Sequence, residues 1–154
     1  MADAGLRVRG FEAKDAQDVI RLHRDFNQWF EESELTPEYV LQCSARGDFR
    51  FFIAESGRTV VGFLGVLFYE SVGRAEVGPI CVQSTFQKKG AGSRLLESVV
   101  EFLKSRSVHR VVAKVKQGNM AGVGFFRANG FEEEATLRRY TRKGEAVLQM
   151  VRFL

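Results

Sequence analysis

The stretch Val82-Gln83-Ser84-Thr85-Phe86-Gln87-Lys88-Lys89-Gly90-Ala91-Gly92-Ser93-Arg94-Leu95-Leu96 reads as a strand end, a short turn, a Gly-x-Gly pair and the first turn of an apolar-striped helix. Such an arrangement aims several backbone N–H groups, and the positive end of a helix dipole, at one spot. That is the chemistry of an anion site, usually for a phosphate or pyrophosphate. The dinucleotide version asks for a third glycine where Leu95 stands, and no acidic ribose partner is evident, so it fails. The P-loop version asks for Gly-Lys-Ser/Thr after four residues, which is absent, so NTP hydrolysis fails too. Gly90-Ala91-Gly92 alone fits equally well a glycine-rich turn before an ordinary helix.

The flanking periodicities supply the elements that must hold this turn. Leu6–Phe11 alternates apolar and basic residues, the pattern of a strand with one buried face. Asp15 is placed to cap a helix carrying Ala16, Val19, Ile20, Leu22, His23 and Phe26, and Thr36-Pro37 opens a second, shorter one. Phe49–Ala54 and Thr59–Tyr69 are strands joined by the hairpin turn Glu55-Ser56-Gly57-Arg58. Val72-Gly73-Arg74 turns into the strand Ala75–Val82, where Gly78-Pro79 predicts a bulge or splay, because proline cannot donate to a ladder. After the glycines, Leu95, Leu96, Val99, Val100 and Leu103 mark a helix ending near Ser105-Arg106. Val108–Val115 is a strand. Asn119 starts a helix that stops at Asn129-Gly130, and Phe131–Ala135 and Ala146–Phe153 are the last strands. The order βααβββαβαββ is a mixed α/β (α+β) arrangement in one domain over residues 1–154.

Bulk properties exclude several classes. A chain of 154 residues, 45% hydrophobic and 27% charged, has the composition of a globular domain able to bury a sizeable core. Its 14 Phe against one Trp and three Tyr predict aromatic packing in that core. The net charge of +4 mildly favours anionic ligands, and no run of five basic residues argues for nucleic acid. The longest apolar run, Val60–Phe68, falls far short of the roughly 20 residues of a membrane helix. No targeting segment is visible at the N-terminus, and Cys43 and Cys81 read as free thiols of a reducing compartment, so a soluble cytoplasmic protein is expected. No Cys/His/Asp spacing suggests a metal.

The chain resembles the GNAT superfamily of acyl-CoA-dependent N-acyltransferases. Gln87-Lys88-Lys89-Gly90-Ala91-Gly92 fits that family's Arg/Gln-x-x-Gly-x-Gly/Ala pattern, with Phe86 before it and Leu95-Leu96 after it in place. Asn119-Met120-Ala121 followed by Phe125-Phe126-Arg127-Ala128-Asn129-Gly130-Phe131 looks like its Asn-x-x-Ala…Phe-Tyr-x-x-x-Gly-Phe signature. The resemblance covers essentially the whole chain. It implies a mostly antiparallel, six- to seven-stranded mixed sheet flanked by about four helices, with acetyl-CoA as acyl donor. Amides from about Lys88 to Ser93, through Gly90, Ala91 and Gly92, would cradle its pyrophosphate, with Lys88 and Lys89 adding charge. Backbone groups of Ile80, Cys81 and Val82 would meet the pantetheine arm as an added strand would, and Asn119 would bond that arm or cap its own helix.

Acyl transfer to an amine needs a neutral nucleophile, donors for the thioester oxyanion and a proton for the departing thiolate. Glu76, at the far end of the strand from Val82, matches a glutamate that serves as general base in some family members. It equally fits a strand-edge residue facing solvent. Two positions depart from the family. Phe126 stands where many members carry a tyrosine acid, so the thiolate would leave unaided or take a proton from Tyr140 or water. Lys114 stands where members acetylating ribosomal-protein N-termini carry a glutamate. It repels a cationic acceptor unless paired or turned away, and leaves room for an acceptor bearing an acidic group. The segment Phe26–Glu34 offers aromatics to line an acceptor pocket and glutamates to attract an amine, or core packing and a solvated acidic loop. Cys81 lacks a histidine partner and reads as a small core residue. The expected activity is N-acetylation of a small-molecule amine or a protein or peptide amine by direct transfer. A different acyl-CoA, a non-catalytic acyl-CoA sensor, and a homodimer all stay open.

Overall fold

Two amphipathic helical stripes divide the chain between the faces of one sheet. The structure, a computed structural model, describes residues 5–30 and 34–154. The elements run β1 (Leu6–Gly10), α1 (Ala16–Asp25), α2 (Pro37–Ser44), β2 (Phe49–Ser56), β3 (Thr59–Tyr69), β4 (Arg74–Val82), α3 (Ala91–Ser105), β5 (Arg110–Lys116), α4 (Met120–Ala128), β6 (Glu132–Leu137) and β7 (Val147–Phe153). Their order is the expected βααβββαβαββ. The seven strands form one sheet in the order β1-β2-β3-β4-β5-β7-β6, antiparallel except for the β4–β5 pair. A parallel neighbour requires a crossover, and α3 provides it.

One face is closed by α1 and α2. Val19, Leu22 and Val40 pack there against Phe51, Ile53 and Phe63. The other is closed by α3 and α4, where Leu95, Leu96, Val99 and Leu103 pack against Leu64, Val66 and Val111, with Val123 and Phe126 alongside. The phenylalanines stack in chains as expected: Phe11, Phe49 and Phe63 against Phe51, and Phe52 and Phe68 against Phe102. Among the described residues no helix is long and apolar enough to cross a membrane.

Thr36 caps α2 through a bond from Tyr39 N (3.2 Å), with Pro37 in the first turn, as expected. Several other expectations shift for local reasons. Asp15 does not cap α1. Its buried carboxylate accepts two bonds from Arg9 (2.8 and 2.9 Å) and one from Glu12 N (2.8 Å). Burial pushes that carboxyl up, the Arg9 and Glu12 bonds pull it down by more, and it ends below the usual aspartate value. Strand β5 begins at Arg110 rather than Val108. Ser107 takes a left-handed conformation (φ 60°), and Val108 N donates to Leu103 O (3.0 Å) to close the end of α3. The β2–β3 turn tightens to Gly57-Arg58, because Ser56 pairs with Thr59. β6 begins at Glu132, and Phe131 is buried against Phe126.

Candidate active site

The site exists because β4 and β5 part company. They pair only from Arg74/Arg110 to Val77/Ala113. Beyond Val77 come Gly78 (φ 140°) and the cis-linked Pro79, and the register with β3 shifts between Leu64 and Val66. This is the splay that Gly78-Pro79 predicts. A cavity of about 590 Å³ opens between the freed end of β4 and Lys114–Lys116, with α4 and the turn Asn27–Trp29 at its sides.

Main chain dominates one end. The β3–β4 ladder is phased by the bond from Gln83 N to Val61 O (2.7 Å). Bonding and non-bonding pairs alternate along an antiparallel ladder. Cys81 therefore faces Phe63 in a bonding pair, while Ile80 and Val82 face Leu64 and Gly62 in non-bonding ones. The N–H and C=O groups of Ile80 and Val82 point into the gap, and those of Cys81 are taken by β3. That narrows the expected trio to two. The Gln87 side-chain amide donates to Val82 O (3.0 Å), so Gln87 orients the strand end as well as bordering the cavity.

Next comes the turn into α3. A 3-10 stretch, Ser84–Lys89, leads to Gly90 in the left-handed conformation (φ 85°), where glycine is needed for its backbone and not for space. The first helical bond runs from Arg94 N to Gly90 O (3.0 Å), which leaves the amides of Ala91, Gly92 and Ser93 ahead of it without a carbonyl of a preceding turn. Gly92 is small for a different reason, since a Cβ there would lie 3.0 Å from the Phe125 ring. Lys88 borders the cavity, and Lys89 lies over the Phe86 ring (5.3 Å). Asn119 caps α4 by accepting from Gly122 N (3.0 Å), and its amide N–H₂ has no partner among the described residues. Phe126 is buried against Phe125 and Phe131 beside the cavity.

Side chains dominate the other end. Glu76 and Lys114 project from adjacent strands onto the face opposite α3, because Ala75, Val77, Ala113 and Val115 alternate with them into the α3 core. Glu76 Oε1 lies 2.8 Å from Lys114 Nζ, and the two side chains remain 39% and 27% exposed, so the charges meet in a solvated cavity wall. The Lys114 ammonium is also 5.3 Å from the centre of the Tyr140 ring. Burial pushes its pKa down, bonds to Glu76 and Tyr140 push it up by more, and it ends above the ordinary lysine value. Lys114 is therefore paired rather than turned away.

Sequence reasoning missed Lys116 and Thr141. Lys116 Nζ donates to Gln28 O (3.1 Å) and lies 3.3 Å from Glu145 Oε1, which ties the Asn27–Trp29 turn to the β6–β7 connection. The Thr141 hydroxyl donates to the Glu145 carboxylate (3.1 Å) and accepts from Glu145 N (3.0 Å). The alternation of β5, which puts Lys116 on the same face as Lys114, was the available signal. Phe26, Trp29 and Phe30 do border the cavity. Glu31 and Glu32 lie outside the described residues. Cys81 is buried, which together with Asp25 pushes its thiol far up and leaves no thiolate at neutral pH. Among the described residues no group of three or more His, Cys, Asp or Glu is placed to hold a metal.

Comparison with known proteins agrees with this geometry. Residues 17–131 match the model of the acetyltransferase (GNAT) family. The chain is 33% identical over 94 residues to N-alpha-acetyltransferase RimI of Mycobacterium tuberculosis, a match covering 58% of this chain and 56% of that protein. The matched region thus spans little more than half the length of this relative. Ard1 from Thermoplasma volcanium superposes with a TM-score of 0.85 at 22% identity, covering 98% and 99% of the two chains. The Salmonella typhimurium protein yncA, solved with its cofactor acetyl-CoA, superposes with a TM-score of 0.82 at 17% identity, covering 97% of this chain and 94% of that one. The chain belongs to the acetyltransferase (GNAT) family, and its fold is that of the family.

Proposed function

We propose that this chain moves an acetyl group from acetyl-CoA to a primary amine, by direct transfer while both substrates are bound. The observation that carries this reading is the continuity of the gap. Free amides at the start of α3, outward backbone of Ile80 and Val82, and the Glu76 carboxylate border one cavity. Its two ends differ as a phosphorylated thioester and an amine differ. The relative of M. tuberculosis is named for α-amine acetylation, and yncA was solved with acetyl-CoA, which supports the donor and the kind of acceptor.

Acetyl-CoA, as substrate, supplies a thioester whose carbonyl carbon receives the amine lone pair and whose C–S bond then breaks. The chain's own groups do the rest. The amides of Ala91, Gly92 and Ser93 hold the pyrophosphate, helped by Lys88 and Lys89. The N–H groups of Ile80 and Val82 hold the pantetheine arm and face the developing oxyanion, with the Asn119 amide also donating to the arm. Phe126 packs beside the arm and gives no proton. An alkyl amine with a pKa of about 10 arrives protonated, so Glu76 accepts its proton before attack. The thiolate of a thiol with a pKa of about 8.5 leaves without an acid, and the second amine proton, released as the amide forms, passes to it through water or the Tyr140 hydroxyl.

The test is release of free thiol from acetyl-CoA across a panel of amino acids, polyamines, aminoglycosides and peptide N-termini, with acetyl-CoA affinity titrated in parallel. Amine-dependent release is expected. Tight binding with no release from any amine would favour an acyl-CoA sensor, and absence of binding would end the donor assignment.

A further inference from the structure

We infer, resting on the amine-transfer reading above, that the acceptor carries a carboxylate close to its amine, so that it meets Glu76 and Lys114 as a zwitterion. The two side chains already form an ion pair, with 2.8 Å between Oε1 and Nζ, at the end of the cavity where the acceptor must sit. Lys114 holds Oε1 of Glu76, so an incoming ammonium meets that carboxylate beside the Lys114 ammonium or in its place. An acceptor with nothing but positive charge would then strand Lys114 beside a second cation. Tyr140, whose ring centre lies 5.3 Å from the ammonium, does not replace that carboxylate. Nor does its neighbour on the same face offer relief, because Lys116 is another cation, held on Gln28 O and Glu145.

A zwitterion resolves this conflict. Its ammonium takes Glu76 and its carboxylate takes Lys114, so one internal pair is exchanged for two and no charge is left unpartnered. The chemistry also favours release. Once the amine is acylated it is neutral, Lys114 returns to Glu76, and the product is left with its carboxylate alone. A second observation points the same way. The β6–β7 connection that brings Tyr140 and Thr141 to the cavity also carries Arg138, Arg139 and Arg142, all exposed and without an acidic partner among the described residues. Its one carboxylate, Glu145, is occupied by Thr141 and Lys116. The connection that supplies Tyr140 to the cavity is thus strongly basic, which favours an anionic acceptor over a polyamine.

Two sources supply this chemistry, a free amino acid and a peptide N-terminus with an acidic residue beside it. The experiment separates them. Free-thiol release from acetyl-CoA is measured with glutamate and alanine, with their amides, with peptides beginning Ala-Glu and Ala-Gln, and with spermidine. The enzymes compared are the wild type, Lys114→Met and Lys114→Arg. The wild type is expected to favour each carboxylate-bearing acceptor over its uncharged counterpart by roughly tenfold in kcat/KM, the worth of one charged hydrogen bond. Lys114→Met should erase that preference through KM, and Lys114→Arg should keep it. The inference is overturned if the wild type uses amides or spermidine as well as the acids, or if Lys114→Met leaves the ratio unchanged. In both cases amine transfer itself stands, whereas no release with any acceptor overturns both.

Discussion

The two ends of the cavity are built from different materials. The proposed donor end is main chain: outward groups of Ile80 and Val82, and the first amides of α3 behind a left-handed Gly90. The proposed acceptor end is side chain: Glu76 against Lys114, with Lys116 two residues further along β5 and Tyr140 and Thr141 brought from the β6–β7 connection. Backbone recognition constrains few residue types, mainly those whose φ or size the geometry dictates. Side-chain recognition is changed by a single substitution. One such end can therefore stay constant while the other varies with its ligand, and Lys114 is the side chain that sets the charge of the variable end here.

The sharpest way to break that division is at Gly90. A valine there must adopt φ 85°, a strain of about 1–3 kcal/mol for a residue with a Cβ, and it displaces the amides that follow. Acetyl-CoA affinity should fall by tenfold or more, on the order of that strain, while the Glu76–Lys114 pair is untouched. Calorimetric titration checks it, and wild-type affinity would mean the donor end lies elsewhere. A smaller effect is expected from Gln87→Ala, which frees the Val82 carbonyl by removing one hydrogen bond worth about 0.5–1.5 kcal/mol. The KM for acetyl-CoA should rise a few-fold, with acceptor preference unchanged.

The smallest effect is the pH dependence of the acceptor end. Lys114 has its pKa raised on folding, so its pair with Glu76 contributes fully below the ordinary lysine value of 10.5 and is lost as the pH climbs through the higher folded value. The melting-temperature difference between wild type and Lys114→Met should be flat through neutral pH and shrink only in strong alkali. Since both side chains are partly exposed, the difference itself should be modest and reduced by salt.

The main-chain end of the cavity was legible in the sequence because its geometry forces residue identity. Gly90 is demanded by a positive φ, and Pro79 by a strand that leaves its partner. Element order followed from helical and strand periods. The acceptor end was less legible, because Glu76 meets Lys114 only through the β4–β5 register, in which Glu76 stands opposite Val112 and Lys114 comes two residues later. No local pattern states that register. Thr141 and Lys116 depend on a long connection folding back. Asp15 was misread as a cap because Arg9, on a separate strand, competes for its carboxylate. At Cys81 the sequence placed the strand but could not phase its ladder, which needs the Gln83–Val61 bond.

The central claim is that Glu76 removes the acceptor's proton at the end of a cavity whose other end binds the donor. The direct measurement is kcat and acetyl-CoA affinity for Glu76→Gln, which keeps the shape of the side chain and removes its basicity. The account predicts a fall in kcat of about 10²–10⁴, the usual worth of a general base, with acetyl-CoA affinity unchanged. Unchanged kcat, or affinity lost in step with it, would contradict the account.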